Sequence, residues 1–378
     1  MSALAGLKIA DFSWVGAGPR STKDLADNGA TVIKIESRRR LDLGRMSPPF
    51  AGDPKDFDGS AFFAQTNTSK KSVTINLSDP KGVEVAKKLV AWADVVVENF
   101  GPGFMDRIGL GYATLRQIKP DIILASVSVA GKTGPMAGFR GYGNSAAAHS
   151  GHAWLSGAPE GDPHMPPLAY GDVVAPMFLT VAILAALEHR ARTGQGQHLD
   201  VSQIEPMVHV IADLYAEGGA RKMGNLDLSF IVHGVYPTAG EGQWIAITAE
   251  TQAEAETLKA ALNIGSLDYA TLSADTRQYD KFALFDRLAA AGIAAGPVID
   301  GKEVSENPEL LATGHYTRID HPVLGNASMP TPPYRFSDTR GEVTAAPLLG
   351  QHNREVFVDL LGIGAAEIDS LVAEGSLA

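Results

Sequence analysis

The segment Pro166-Pro-Leu-Ala-Tyr-Gly-Asp172-Val-Val-Ala-Pro176 runs into an apolar stretch, Met177 to Leu187, that ends in His189-Arg-Ala-Arg-Thr-Gly194. The basic residues and Gly194 are stop signals for a helix. Asp172 is then a carboxylate at a helix mouth, where the first N–H groups favour its ionised form. Held rigidly there, an ionised carboxylate is a candidate nucleophile or general base. Asp is also a favoured N-cap, so the local sequence leaves both readings open. Pro176 suits a first turn, which predicts a start between Asp172 and Pro176 with unpaired N–H groups beside the carboxylate. Val173, Val174, Met177, Phe178, Val181, Leu184 and Leu187 make the helix apolar nearly all round and predict full burial.

Further chemistry-bearing side chains sit in loops that follow strand candidates. Asp94-Val-Val-Val-Glu98 runs into Asn99-Phe100-Gly101-Pro102-Gly103 and then Met105-Asp-Arg107. An amide and an aromatic face at a strand's carboxyl end lie where α/β sheets bind ligands; the competing reading is a helix cap and a turn. Asp121 to Val127 is a further strand. The glycine-rich stretch 131–143 after it carries Arg140 and Tyr142, and His149 and His152 follow. Each arginine is either a phosphate ligand or a solvated surface cation.

The elements that must position these groups read as alternating strands and helices. Leu7 to Phe12 and Thr31 to Glu36 are strands flanking a turn at Gly16–Pro19 and a helix from Ser21 to Asn28; Lys70 to Leu77 is a strand and Pro80 to Trp92 an amphipathic helix. This predicts a Rossmann-like α/β domain with a parallel sheet covered on both faces. Gly16-x-Gly18 is followed by Ser21 where a dinucleotide loop needs a third glycine, which argues against a nicotinamide cofactor. With 378 residues, two domains are expected. A net charge of −11 argues against nucleic acid or an anionic membrane as partner, Arg38-Arg39-Arg40 being the only short basic run. The absence of cysteine removes thiolate metal sites and cysteine nucleophiles. The N-terminus is too poor in apolar residues for a signal peptide, so a cytoplasmic location is expected.

Six motifs then fall in order along the chain: Leu4-x-Gly-Leu-Lys-Ile to Ala17-Gly-Pro19, Gly29-Ala-Thr-Val-Ile-Lys-Ile-Glu36, Val97-Glu-Asn-Phe-x-Pro-Gly103, Gly171-Asp172, Arg192-Thr-Gly-x-Gly-Gln197 and Ala346-Pro-Leu-Leu-Gly350. Together they resemble the family III CoA-transferases, the CaiB/BaiF family, over essentially the whole chain. The resemblance implies an interlocked homodimer. In each chain, residues 1–217 begin a large CoA-binding α/β domain, 218–234 form a linker, and 235–315 form a smaller α+β domain. Residues 316–340 lead back, and helices within 341–378 complete the large domain.

By the same resemblance, Asp172 is the nucleophile. It forms an anhydride with the acyl group and then an aspartyl-CoA thioester, with neither ATP, a metal nor a tightly bound cofactor required. Val15, Ala17, Ile75, Leu77, Asn99, Phe100, Arg107 and Arg140 fall on CoA-contact positions, and Gly16, Tyr142, His149 and Glu250 on substrate positions. Gly16 stands where the formyl–oxalate branch carries a glutamine, and that branch's tetraglycine loop has no counterpart between Gly224 and Trp244, which argues against formate and oxalate. The small domain is shorter than usual in the family, which implies a reshaped acyl pocket. The racemase branch pairs the aspartate with a histidine in Gly-His-Asp-x-Asn-Tyr. This chain reads Gly141-Tyr-Gly-Asn-Ser-Ala146 there, so racemisation would need a base such as His149, His152 or Glu250. A non-catalytic CoA-binding protein is the third reading.

Overall fold

β-Branched residues recur in six short strands that the chain lays down before residue 203: β1 (Lys8–Asp11), β2 (Thr31–Glu36), β3 (Lys71–Thr74), β4 (Val95–Glu98), β5 (Ile123–Ser128) and β6 (His198–Ser202). The computed structural model describes residues 2–53, 56–216, 221–225 and 227–378. All six strands pair in parallel in the order β3-β2-β1-β4-β5-β6. The order reverses between β1 and β4, which opens a crevice at their carboxyl ends.

Each face of the sheet is covered, as a parallel sheet requires. On one side, Val85, Leu89 and Val90 of helix Pro80–Trp92 pack with Leu115 and with Phe357 and Leu371 from the chain's end. On the other, Leu25 of helix Ala17–Asp27 packs with Ala175, Leu179 and Ile183 of helix Gly171–Thr193. These elements belong to one compact unit, made of the described part of 1–153 with 165–216 and 311–378.

A second compact unit contains 154–164 and the described part of 217–310. Its antiparallel sheet, β7 (Val232–Pro237), β8 (Trp244–Ala249) and β9 (Ala294–Val298), packs through Ile245 and Ile247 against Leu258, Leu284 and Leu288 of its helices. Gly218 and Gly219 of the expected linker lie outside the described residues.

Several expectations are corrected. Residues 316–330, read as part of a return linker, form a hairpin of β10 (Tyr316–His321) and β11 (Gly325–Pro330). It buries Ile319 and Met329 with Phe63 and Ala346, but the polar residues between them hide the alternation. The expected turn at Gly16–Pro19 is already the first turn of helix Ala17–Asp27. The long helix starts at Gly171, because Tyr170 is itself in helical geometry. Asp172 N–H therefore donates to Ala169 O, and the Val173 and Val174 N–H groups to Tyr170 O, so the expected unpaired amides beside the carboxylate are in use. Pro176 falls in the second turn, where its missing N–H would have bonded the Asp172 carbonyl. Nor is the helix buried all round: Met177, Phe178, Val181 and Leu184 are 57%, 40%, 66% and 41% exposed in the single chain. By length and composition this helix could cross a membrane, yet its other face is part of the core.

Candidate active site

Between β1 and the helix that follows, the chain makes a turn whose geometry is enforced by two side chains from elsewhere in the sheet's loops. Asn99, directly after β4, accepts from Trp14 N–H (2.8 Å) and donates to Trp14 O (2.7 Å). Asp42 accepts from Val15 N–H (2.9 Å) and from Gly44 N–H (2.8 Å), while its other oxygen pairs with Lys34 at 2.8 Å. Held this way, Val15 adopts φ 64°, a left-handed conformation that a β-branched residue enters only under constraint. The turn thereby brings Gly16 against Asp172; a Cβ placed on Gly16 would stand 3.1 Å from the Asp172 Cβ.

Beneath the turn lies a buried charge cluster. Lys70 Nζ reaches Asp11 (3.0 Å), Pro19 O (2.9 Å) and Asn67 (2.9 Å), tying β1, the following helix and the start of β3 together. Burial pushes the Asp11 carboxyl up, but Lys70, Lys34 and two hydroxyls outweigh it and hold the group below the usual carboxylate range. Burial and the nearby Lys34 bring Lys70 down to about 8 despite Asp11.

Asp172, the second residue of its helix, has a donor on each oxygen. Gly143 N–H bonds Oδ2 at 3.1 Å and Gln203 Nε2 bonds Oδ1 at 2.6 Å. Burial raises the carboxyl above the ordinary Asp value, and the Gly143 and Gln203 bonds and the Arg20 charge offset only part of that rise. The result is a half-buried carboxylate, pre-aligned at the wall of a cleft of about 1070 Å³.

The cleft collects most of the residues that the sequence nominated. Val15, Gly16, Ala17, Ile75, Leu77, Asn99, Phe100, Arg107, Arg140, Tyr142 and Asp172 all line it. β3 ends at Thr74, so Ile75 and Leu77 lie on the loop beyond it rather than in the strand. Asn99 is not a helix cap, and both ends of its amide are committed to Trp14, so its part is to position the turn. Phe100 is fixed by Lys132, which pairs with Glu98 (3.0 Å) and donates to the Phe100 carbonyl. Trp14, Phe100 and Phe104 pack in sequence at 5.5 and 4.4 Å between ring centres, with Arg40 over Trp14 and Arg107 over Phe104. An apolar strip flanked by guanidinium groups suits a ligand with an aromatic ring and phosphates.

Other nominated residues lie elsewhere. His149 is exposed and packs on Phe139, and His152 bonds Met207 O; neither lines the cleft. Glu250 belongs to the second unit, exposed next to Thr251, which caps helix Gln252–Leu262. Tyr142 lines the cleft at 57% exposure, but its phenol is not a partner of Asp172. Trp14, Arg39, Arg40 and Gln203 also line the cleft, and the sequence did not nominate them. Trp14 follows the end of β1, and Arg39 and Arg40 the end of β2, so the carboxyl-end rule applied to Asn99 would have reached these three; Gln203 follows β6, which is not among the strands expected from the sequence.

A family model described as CoA-transferase family III matches residues 4–353. The chain belongs to this family. It is 32% identical over 400 residues to the succinyl-CoA:glutarate CoA-transferase of Mus musculus, covering 99% of this chain and 90% of that protein. It is 30% identical over 414 residues to the formyl-CoA:oxalate CoA-transferase of Streptomyces coelicolor, covering 99% and 98%. The crystal structure of a CaiB/BaiF family protein from Brucella suis superposes with a TM-score of 0.86 at 30% identity, covering 95% of this chain and 99% of that one. This family III member is therefore an enzyme that transfers CoA between an acyl-CoA and a carboxylic acid.

Proposed function

We propose that this transferase works through covalent intermediates on Asp172, with acyl-CoA lying along the cleft. The observation that carries this reading is the Asp172 carboxylate, half-buried at the cleft wall with a donor on each oxygen. Attack on the donor thioester gives an aspartyl–acyl anhydride and CoA thiolate; the thiolate then takes Asp172 as its thioester, and the acceptor acid reverses both steps. Arg39, Arg40, Arg107 and Arg140 offer charge to phosphate oxygens, while Val15, Ala17, Ile75, Leu77 and Phe100 offer apolar surface. The relatives named for succinyl-CoA support that thioester as donor and a short dicarboxylic acid as acceptor. Gly16, which has no side chain to reach the substrate, argues against oxalate.

Racemisation would need a second base, and no histidine lines the cleft among the described residues. Tyr142 is a poor substitute: it lines the cleft, but its phenol is not a partner of Asp172. One preparation assayed in deuterated water, with succinyl-CoA plus a panel of dicarboxylic acids and separately with a 2-methylacyl-CoA, decides between the two chemistries. Rapid CoA transfer with slow α-deuteration is expected. Fast deuteration without transfer would reverse the assignment.

The homodimer is supported by the exposed apolar stripe Met177, Phe178, Val181 and Leu184, together with Val208, Val210, Leu214 and Tyr215 on the same unit. In an interlocked dimer, dissociation and loss of structure coincide on dilution in denaturant. A folded monomer detected by light scattering would contradict this assembly.

A further inference from the structure

The side chain of Gln203 makes one hydrogen bond among the described residues, the 2.6 Å bond from Nε2 to Asp172 Oδ1. The residue is only 4% exposed, and its backbone N–H is anchored on Ser128 O (2.9 Å) and Val129 O (3.1 Å) at the end of β5. Its Oε1 is buried without a partner. Leaving an amide oxygen bare in the interior is unfavourable, so the side chain is not accounted for by its own satisfaction. What it gains is contact with the reacting carboxylate.

We propose that Gln203 holds Oδ1 as the spectator oxygen of Asp172 and stabilises the negative charge that develops there, leaving Oδ2 as the attacking atom. This rests on the reading of Asp172 as nucleophile. The shorter contact fixes Oδ1, whereas Oδ2 has only the longer Gly143 N–H bond. In the first step Oδ2 bonds the acyl carbon as its C–S bond breaks, and CoA leaves as the thiolate. The thiolate then attacks Asp172 Cγ, and the electron pair of the Cγ–Oδ1 double bond moves onto Oδ1, where Gln203 donates. Collapse restores that double bond and breaks Cγ–Oδ2. The acyl group departs as a carboxylate carrying Oδ2, and the aspartyl-CoA thioester remains. The acceptor carboxylate reverses the sequence and supplies the replacement oxygen. A donor fixed before the charge appears stabilises it without reorganising. Gly16, packed against Asp172, brings no side-chain donor, which leaves Gln203 as the side-chain amide bonded to this carboxylate among the described residues.

The test uses the full-length protein and two variants, the apolar Gln203→Leu and the isosteric Gln203→Glu. Gln203→Leu should lower kcat by about 10²-fold, the usual effect of losing one oxyanion donor, with KM for the acyl-CoA little changed. Its acid limb should move to higher pH, because the lost hydrogen bond favoured the ionised form; Arg20 is the charged side chain that continues to act on Asp172. Gln203→Glu should work while the introduced carboxyl is protonated and acquire an alkaline limb absent from the wild type. Gln203→Leu with wild-type kcat and acid limb would overturn the proposal. So would a fall in kcat that follows lost thermal stability while the acid limb stays in place. If the wild type forms no adduct on Asp172 with acyl-CoA, the nucleophile reading fails first; an adduct in the wild type beside unaltered variants defeats the Gln203 role alone.

Discussion

Asp172→Ala should lower CoA transfer by on the order of 10⁴- to 10⁶-fold, the scale seen when a covalent nucleophile is removed. The loss should appear in kcat, with binding of acyl-CoA largely kept, because the apolar groups and arginines that line the cleft are left in place by the substitution. Folding should be nearly unchanged. Asp172 is half-buried at a cleft wall, its pKa is already raised by burial, and the bonds it accepts offset that only in part. Measured turnover within tenfold of wild type, on protein with normal circular dichroism, would remove Asp172 from the chemistry.

Lys70→Met is the substitution expected to cost most in stability. Lys70 and Asp11 are fully buried, and removing one partner strands the other charge, at roughly 3–5 kcal/mol. Ser13 and Thr22 would still bond Asp11 and Lys34 would still act on it, but without the ion-pair contact that Lys70 makes. The signs of the pH dependence follow from the two shifts. Asp11 is held below its unfolded value, so its contribution is present above that value and lost as pH falls through the folded one. Lys70 titrates at about 8 in the folded chain against 10.5 unfolded. Between these values the unfolded chain binds more protons, so the burial cost of its charge is relieved as pH rises through that window. Urea unfolding of Lys70→Met should show a lower midpoint with a similar slope. A change under about 1 kcal/mol would mean that this pair is not what ties β1 to the following helix and the start of β3.

What the sequence revealed follows from which interactions are local. Strand and helix alternation is written in side-chain period, so the sheet from β1 to β5 could be read directly, and Asn99 and Phe100 could be placed at its carboxyl edge. Pro176 misled because helix starts depend on the preceding backbone: Tyr170 already has helical angles, which no side chain announces. The apolar circumference of that helix suggests burial, whereas one stripe faces outward in the single chain. Gln203 went unseen because its meaning lies in a contact across 31 residues of sequence, between the end of β6 and the mouth of another helix. His149 and His152 show the converse: they were side chains able to act as bases, and the fold places them outside the cleft lining.

The most direct measurement is to mix the purified enzyme with succinyl-CoA without an acceptor, quench it with hydroxylamine, and map the products by peptide mass spectrometry. An anhydride or thioester on Asp172 is converted to a hydroxamate, so the peptide containing Asp172 should carry that mass change, and the Asp172→Ala protein should carry none. An enzyme that transfers CoA at full rate while leaving this peptide unmodified, before the quench and after it, would contradict a covalent route through Asp172.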